Sequence, residues 1–104
     1  RFLKEETANL FMTTQSENSR RGLGFDKPNM KNPDKSPACQ SAPAEVVGHT
    51  GYTGTAFWVD PKNDLIFIFL CNRVYPTRNN AAFTKLNVRK KMQEAVYANL
   101  QADR

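Results

Sequence analysis

One histidine, two cysteines and five glycines are all that 104 residues supply of the residue types that most often build metal centres, redox pairs and phosphate loops. His49 has no second histidine and no cysteine pair beside it, so a metal site of the usual kind is excluded. Cys39 and Cys71 have neither metal-ligand nor redox spacing. Cys71 ends an apolar strand and is expected to be a buried thiol, but nothing in the spacing decides whether the two cysteines pair, so cysteine usage fixes no compartment. No cofactor is expected. No apolar run approaches the roughly 20 residues of a membrane span, and the longest, Leu65 to Cys71, suits a strand buried on both faces. A basic-then-apolar leader and an initiating Met are missing as well. Any targeting signal is therefore expected outside this chain, and the opening Arg1-Phe2-Leu3-Lys4-Glu5-Glu6 reads as the middle of something larger.

What is present is enough for one small domain with a modest core, at 39% hydrophobic residues. The net charge of +5 owes much to Arg78, Lys85, Arg89, Lys90 and Lys91. No aromatic residues interleave with those bases, so a solvated helix face is favoured over a nucleic-acid patch. No nucleic-acid partner is expected. Steep weakening of binding with salt would be the signature of one.

Leu3, Thr7, Leu10, Phe11 and Thr14 recur at helical spacing and predict an amphipathic helix over about 3–14. Arg21-Gly22-Leu23-Gly24-Phe25-Asp26 reads as a short strand whose glycines allow close backbone approach. Residues 27–45 carry Pro28, Pro33, Pro37 and Pro43, a density that prevents a helix or a central strand. A loop of that length either rims a cleft or is a surface excursion without a role. Strands are predicted over about 46–60 and 65–73, joined by Pro61-Lys62-Asn63-Asp64, which has proline and Asn/Asp where a tight turn wants them. Asn79 or Asn80 is placed to cap a helix over about 81–101. Val88, Met92, Val96 and Leu100 form its apolar stripe. The fold class is α+β: an antiparallel sheet of about three to four strands with an N-terminal and a C-terminal helix packed on it, all within a single partial domain spanning 1–104. No internal repeat is visible.

Few residues could carry chemistry. A Ser-His-Asp set is formally available from Ser36, Ser41, Asp60 and Asp64, but nothing in their spacing supports it. On residue type alone, His49 reads as structural or merely exposed. Gly48-x-x-Gly51-x-x-Gly54 lacks the Gly-Lys-Ser/Thr ending of a phosphate loop and is followed by a strand, not a helix.

Order along the chain adds more. His49-Thr50-Gly51 is preceded by Arg21-Gly22-Leu23-Gly24-Phe25-Asp26 and followed by Trp58-Val59-Asp60-Pro61, by Leu65 to Leu70, by Asn72-Arg73 and by a terminal helix. From about Arg21 onward this resembles the C-terminal part of the serine β-lactamase-related hydrolases, a family that includes class C β-lactamases, D-alanyl-D-alanine peptidases and esterases. The triplet corresponds to the family's Lys-Thr-Gly element in a His-Thr-Gly variant.

The resemblance implies a partial β-lactamase/transpeptidase-like fold, with the triplet on a strand edge facing the nucleophile. It implies that His49, Thr50 and Gly51 bind the substrate's carboxylate or polar end. The backbone N–H of Tyr52 would supply half of an oxyanion hole, the fixed donor that a tetrahedral acyl intermediate requires. Histidine holds a positive charge only partly at pH 7, which departs from the lysine form.

A larger departure is the nucleophile. The family's serine sits in Ser-x-x-Lys, whereas the residues three after Ser16, Ser19, Ser36 and Ser41 are Ser19, Gly22, Cys39 and Ala44. Tyr97-Ala98-Asn99 and Ser16-Glu17-Asn18 match family letters in the wrong places and are read as coincidence.

The expectation is therefore the C-terminal portion of a penicillin-recognising-type serine hydrolase, inactive alone. Its partners would be the missing N-terminal part of the same domain and a small-molecule or peptide substrate. The family usually works in the periplasm or at the cell envelope. The alternative is a non-catalytic accessory or binding module of a larger cell-wall or sugar-processing enzyme. Without the covering elements, Phe57, Trp58, Phe67 and Phe69 are expected to be exposed and to drive self-association.

Overall fold

A computed structural model describes residues 2–102; the expected 1–104 span extends beyond them at both ends. The chain runs α1 (Glu5–Met12), a 3-10 turn (Pro33–Lys35), β1 (Val47–Thr50), β2 (Ala56–Asp60), β3 (Leu65–Phe69), α2 (Ala82–Lys85) and α3 (Val88–Ala102). The three strands form one antiparallel sheet in the order β1-β2-β3, so the architecture is α+β with helices at either end.

Register follows from alternation. Gly48 lies opposite Trp58 and Thr50 opposite Ala56, while Trp58 lies opposite Phe67 and Ala56 opposite Phe69. Paired residues share a face. Ala56, Trp58 and Phe67 thus point to the inner side, where they join Val46 and Tyr97 in the core. The indole of Trp58 occupies the space that a side chain at position 48 would need, for a Cβ there would meet the Phe57 carbonyl and come within 2.7 Å of the Trp58 ring. Glycine at 48 is what lets the large residue turn inward.

The other face carries Phe57, Ile66 and Ile68, with Leu70 just beyond, all exposed. The expectation of four exposed aromatics is therefore corrected. Trp58 and Phe67 are buried beneath α3, Phe69 is half-buried, and the open apolar surface consists of Phe57 and aliphatic side chains.

The hairpin between β2 and β3 is organised by Asp60. Its Oδ1 accepts the Asn63 N–H (3.1 Å) and its Oδ2 accepts the Asn63 side-chain amide (2.8 Å), while Asp64 takes φ 53°. Oδ2 also accepts from the Tyr97 hydroxyl at 2.6 Å, so the same carboxylate ties the turn to α3. Between β1 and β2 the expected continuous strand over about 46–60 is interrupted. Gly51 N–H donates to the Thr55 carbonyl (2.8 Å), and Gly54 has φ 99°, a conformation that glycine adopts without strain.

The C-terminal helical segment also differs from expectation. It breaks at Leu86–Asn87, with Asn87 at φ 55°, a left-handed position that asparagine tolerates better than most residues. Its buried face is turned from the expected stripe. Gln93 and Tyr97 are fully buried, whereas Met92 is exposed. Two polar partners fix this rotation: the Asp60 carboxylate, and the Cys39 N–H, which donates to Gln93 Oε1 at 2.8 Å. The Asn80 side chain accepts the Ala82 N–H (3.0 Å) just before α2.

The proline-rich segment is neither a bare rim nor an idle excursion. Ala38, Cys39 and Ala42 are core residues. Ser41 is held to Glu94 of α3 through its hydroxyl (2.6 Å) and its N–H (3.2 Å), and the Ser36 hydroxyl accepts the Asn29 N–H at 2.9 Å. Prolines limit the ways this stretch can fold, and buried alanines let it lie close against α3. Cys39, not Cys71, is the buried thiol; Cys71 is half-buried, and both are free.

Residues 21–26 do not form a strand. Only one bridge joins Asp26 to Gly48, with N···O distances of 2.7 and 3.0 Å. Gly24 at φ 78° interrupts the extended backbone on one side, and Pro28 lacks the N–H that would continue the ladder on the other. Helix α1 has Glu5 and Glu6 in its first turn, where the helix dipole favours them. None of its residues is buried. It is tethered through the Leu23 N–H to the Phe11 carbonyl (2.8 Å) and through Lys27 Nζ to the Met12 carbonyl (2.9 Å).

Candidate active-site wall

The open end of β1 carries His49, Thr50 and Gly51. His49 lies on the outer face, exposed, opposite Phe57. Its Nδ1 is 2.7 Å from the Thr50 carbonyl oxygen and its Nε2 is 3.3 Å from Arg21 Nη1. Sequence reasoning assigned Arg21 no part here. Its only signal was the Arg20-Arg21 doublet before an acidic residue, and linear distance from His49 hid the meeting. The contact exists because Asp26 bridges to Gly48, which brings the preceding loop alongside β1.

Asp26 organises this corner. It is almost fully buried and accepts from Arg20 Nε (3.0 Å) and Arg20 Nη2 (3.1 Å), while Arg21 Nη2 stands at 3.5 Å. The Lys27 N–H adds a 2.8 Å bond to Oδ1.

The turn after the triplet is braced from three sides. Gly54 N–H donates to the Gly51 carbonyl (3.1 Å) and Arg73 N–H to the Thr53 carbonyl (2.8 Å). Arg89 Nη1 lies 3.4 Å from the carbonyls of both Gly51 and Thr55. A side chain on Gly54 would collide with Cys71 Sγ and the Phe83 ring. The Tyr52 ring is exposed, with the Arg73 guanidinium 4.7 Å from its centroid, a cation–π contact. Among the described residues, the N–H of Tyr52 takes part in no hydrogen bond of this turn.

A groove of about 430 Å³ runs along this end of the sheet, lined by His49, Thr50, Thr55, Phe57, Ile68 and Leu70 among others. A second hollow of about 590 Å³ has Thr14, Ser16, Asn18, Arg20, Arg21 and Lys31 in its lining. Arg21 belongs to that lining and also touches His49 of the groove.

The Ser-His-Asp possibility has no geometric counterpart. Asp60 is engaged by Tyr97 and Asn63, Ser41 by Glu94, and His49 by Thr50 and Arg21. Tyr97 of the Tyr-Ala-Asn letters is a core residue. Burial and the Asp60 carboxylate push its phenol well above the usual tyrosine range. Burial alone would raise the Asp60 carboxyl, but its bonds from Tyr97, Asn63 and the turn backbone outweigh that and hold it below the usual range. Among the described residues no group of three His, Cys, Asp or Glu is placed to hold a metal, and no helix is long and apolar enough to cross a membrane.

A family model for β-lactamase matches residues 3–89. The chain belongs to the β-lactamase family, which supports a serine-hydrolase-like fold, and its three-stranded sheet with a helix at either end is compatible with part of one. Neither the curated proteins nor the solved structures contain a match to it.

Proposed function

We propose that this chain forms the substrate-binding wall of a penicillin-recognising-type serine hydrolase, and that a serine outside it is acylated and then hydrolysed. Class C β-lactamases, D-alanyl-D-alanine peptidases and related esterases are the kinds of enzyme concerned, so the substrate would be a β-lactam, a cell-wall peptide or an ester. His49, Thr50 and Gly51 would hold its polar end. The Tyr52 N–H would stabilise the oxyanion, a role that needs a fixed donor not already spent.

The observation that carries this reading is the open, braced strand end. Exposed His49 and the uncommitted Tyr52 N–H lie on either side of Thr50 and Gly51, beside a groove. No serine in the chain precedes a lysine by three positions, so the chain by itself would be inactive. We place the intact enzyme in the periplasm or at the cell envelope.

The test has two arms. The purified chain is expected neither to be labelled by a fluorescent penicillin nor to turn over a chromogenic ester above a His49→Ala control. A longer product, expressed with the coding sequence upstream of Arg1, is expected to do at least one of these and to lose it in Thr50→Val. Labelling of the chain alone would overturn the inactivity. An upstream sequence without Ser-x-x-Lys would overturn the hydrolase itself.

A further inference from the structure

We propose that Arg89 is the positioning residue of the Tyr52 amide: from α3 it holds the Gly51–Tyr52 peptide so that the N–H stays turned away from the helix and free for a ligand oxygen. The inference rests on the functional reading above and adds to it a residue that acts through the backbone of the turn.

A trans peptide is planar, and its C=O and N–H point in opposite directions. The Gly51–Tyr52 bond is trans, so whatever holds the Gly51 carbonyl also aims the Tyr52 N–H. That carbonyl accepts from the Gly54 N–H at 3.1 Å and from Arg89 Nη1 at 3.4 Å. The same Nη1 lies 3.4 Å from the Thr55 carbonyl, which also accepts the Gly51 N–H at 2.8 Å. One guanidinium nitrogen thus ties both ends of the turn together and draws the Gly51 carbonyl towards α3. The brace is needed because position 51 is soft. A Cβ there would come within 2.5 Å of Thr55 Oγ1, so glycine is the residue that fits, and glycine lets the following peptide rotate at little cost. Rotation would turn the Tyr52 N–H inward, and a charged donor on the carbonyl opposes it.

The helix holds Arg89 in place for this. Arg89, Gln93 and Tyr97 are spaced four apart and share one face of α3. Tyr97 is fixed to Asp60 and Gln93 to the Cys39 N–H, so the third member of the row is fixed with them. Charge alone suggested a solvated face for Arg89, but it is half-buried, with its guanidinium 5.8 Å from the centroid of the Phe83 ring. Among the described residues it is paired with no carboxylate. Its full charge is therefore directed at the two carbonyls. A charged donor polarises the peptide that it bonds, which makes the N–H at the other end of the same peptide a better donor. That N–H takes part in no hydrogen bond among the described residues.

Nitrogen relaxation and amide exchange by solution NMR test this on the chain itself. A bonded amide is ordered and protected, and a loose loop amide is mobile and unprotected. The Tyr52 amide is expected to be neither. Its order parameter should be about 0.85, as in rigid backbone, while its exchange with water stays within about tenfold of an unstructured amide. In Arg89→Met, which keeps an apolar stem beside Phe83, the Tyr52 order parameter should fall below about 0.6. The Gly51 carbonyl carbon should shift upfield as it loses a donor. The amides of β2 should stay ordered, which separates the effect from unfolding. Arg89→Lys can still donate to one carbonyl and should recover part of the order.

The longer product supplies a second readout. A donor used only in the transition state changes kcat and leaves KM alone. Arg89→Met is expected to lower kcat for a chromogenic ester about tenfold, with little change in KM, and Arg89→Lys to restore part of it. A mobile or a protected Tyr52 amide in the native chain would overturn the inference. So would unchanged Tyr52 order in Arg89→Met, or a raised KM with kcat intact. A native longer product without turnover would overturn the functional reading instead, and the amide measurements would still decide the role of Arg89.

Discussion

The Tyr97 hydroxyl donates a 2.6 Å hydrogen bond to Oδ2 of Asp60, joining the last helix to the β2–β3 hairpin through a buried carboxylate. Tyr97→Phe removes one of the donors that make this burial tolerable. It is expected to destabilise the fold by about 1–3 kcal/mol, read by urea unfolding. Asp60→Ala should cost at least as much, because it also releases both Asn63 contacts that order the turn.

The same pair sets a pH window. The Asp60 carboxyl titrates below its ordinary 3.8 in the folded state, so its contribution is present above that value and lost as pH falls through the lower, folded one. The Tyr97 phenol titrates above its ordinary 10.0 when folded. Its contribution is present below 10.0 and lost as pH rises towards the folded value. Stability should therefore decline at both extremes. In Tyr97→Phe the alkaline decline should shrink, as followed by melting temperature against pH.

Gly48→Ala tests the packing of Trp58 against β1. The added Cβ would meet the Phe57 carbonyl and the indole. With backbone on one side and a buried ring on the other, relief must come from separating the strands. A loss of about 3 kcal/mol is expected, with a change in Trp58 fluorescence. A variant as stable as the native chain would show that this strand pair is looser than drawn.

Thiol labelling distinguishes the two cysteines. Burial, reinforced by Glu94, pushes the Cys39 thiol up to about 12, and its side chain is enclosed. Cys71 is half-buried. Iodoacetamide at mildly alkaline pH should modify Cys71 in the native chain and Cys39 only after denaturant, as read by peptide mass. Equal labelling of both would show that the proline-rich segment is not held against α3.

The outer sheet face predicts self-association. Ile66, Ile68 and Leu70 are each more than 60% exposed and Phe57 adds to them. Light scattering is expected to show apparent mass rising with concentration, and Ile66→Lys with Ile68→Lys to suppress the rise. A clean monomer at high concentration would count against it.

Much of the sheet was legible because its cues are local. Pro61 to Asp64 between two apolar runs announces a hairpin, and β-branched and aromatic residues mark the strands on either side. The same cues misjudged which aromatics are covered. Alternation says that Trp58 and Phe57 face opposite ways, but not which way α3 lies. Helical spacing likewise found the terminal helix and missed its buried face, since Gln93 and Tyr97 are drawn inward by partners distant in sequence. The proline-rich stretch was read as a loop because proline forbids regular structure. That Ala38, Cys39 and Ala42 form part of the core depends on what lies against them.

Local sequence was enough to determine the β2–β3 hairpin and the strand that carries His49-Thr50-Gly51, because turn chemistry and strand alternation are properties of neighbours. Tertiary structure alone decided that Arg21 meets His49, that Arg20 takes Asp26, and that Asp60 receives Tyr97. Each of these joins residues far apart in the chain, and hydrogen bonding depends on distance and direction in space, which linear order does not carry.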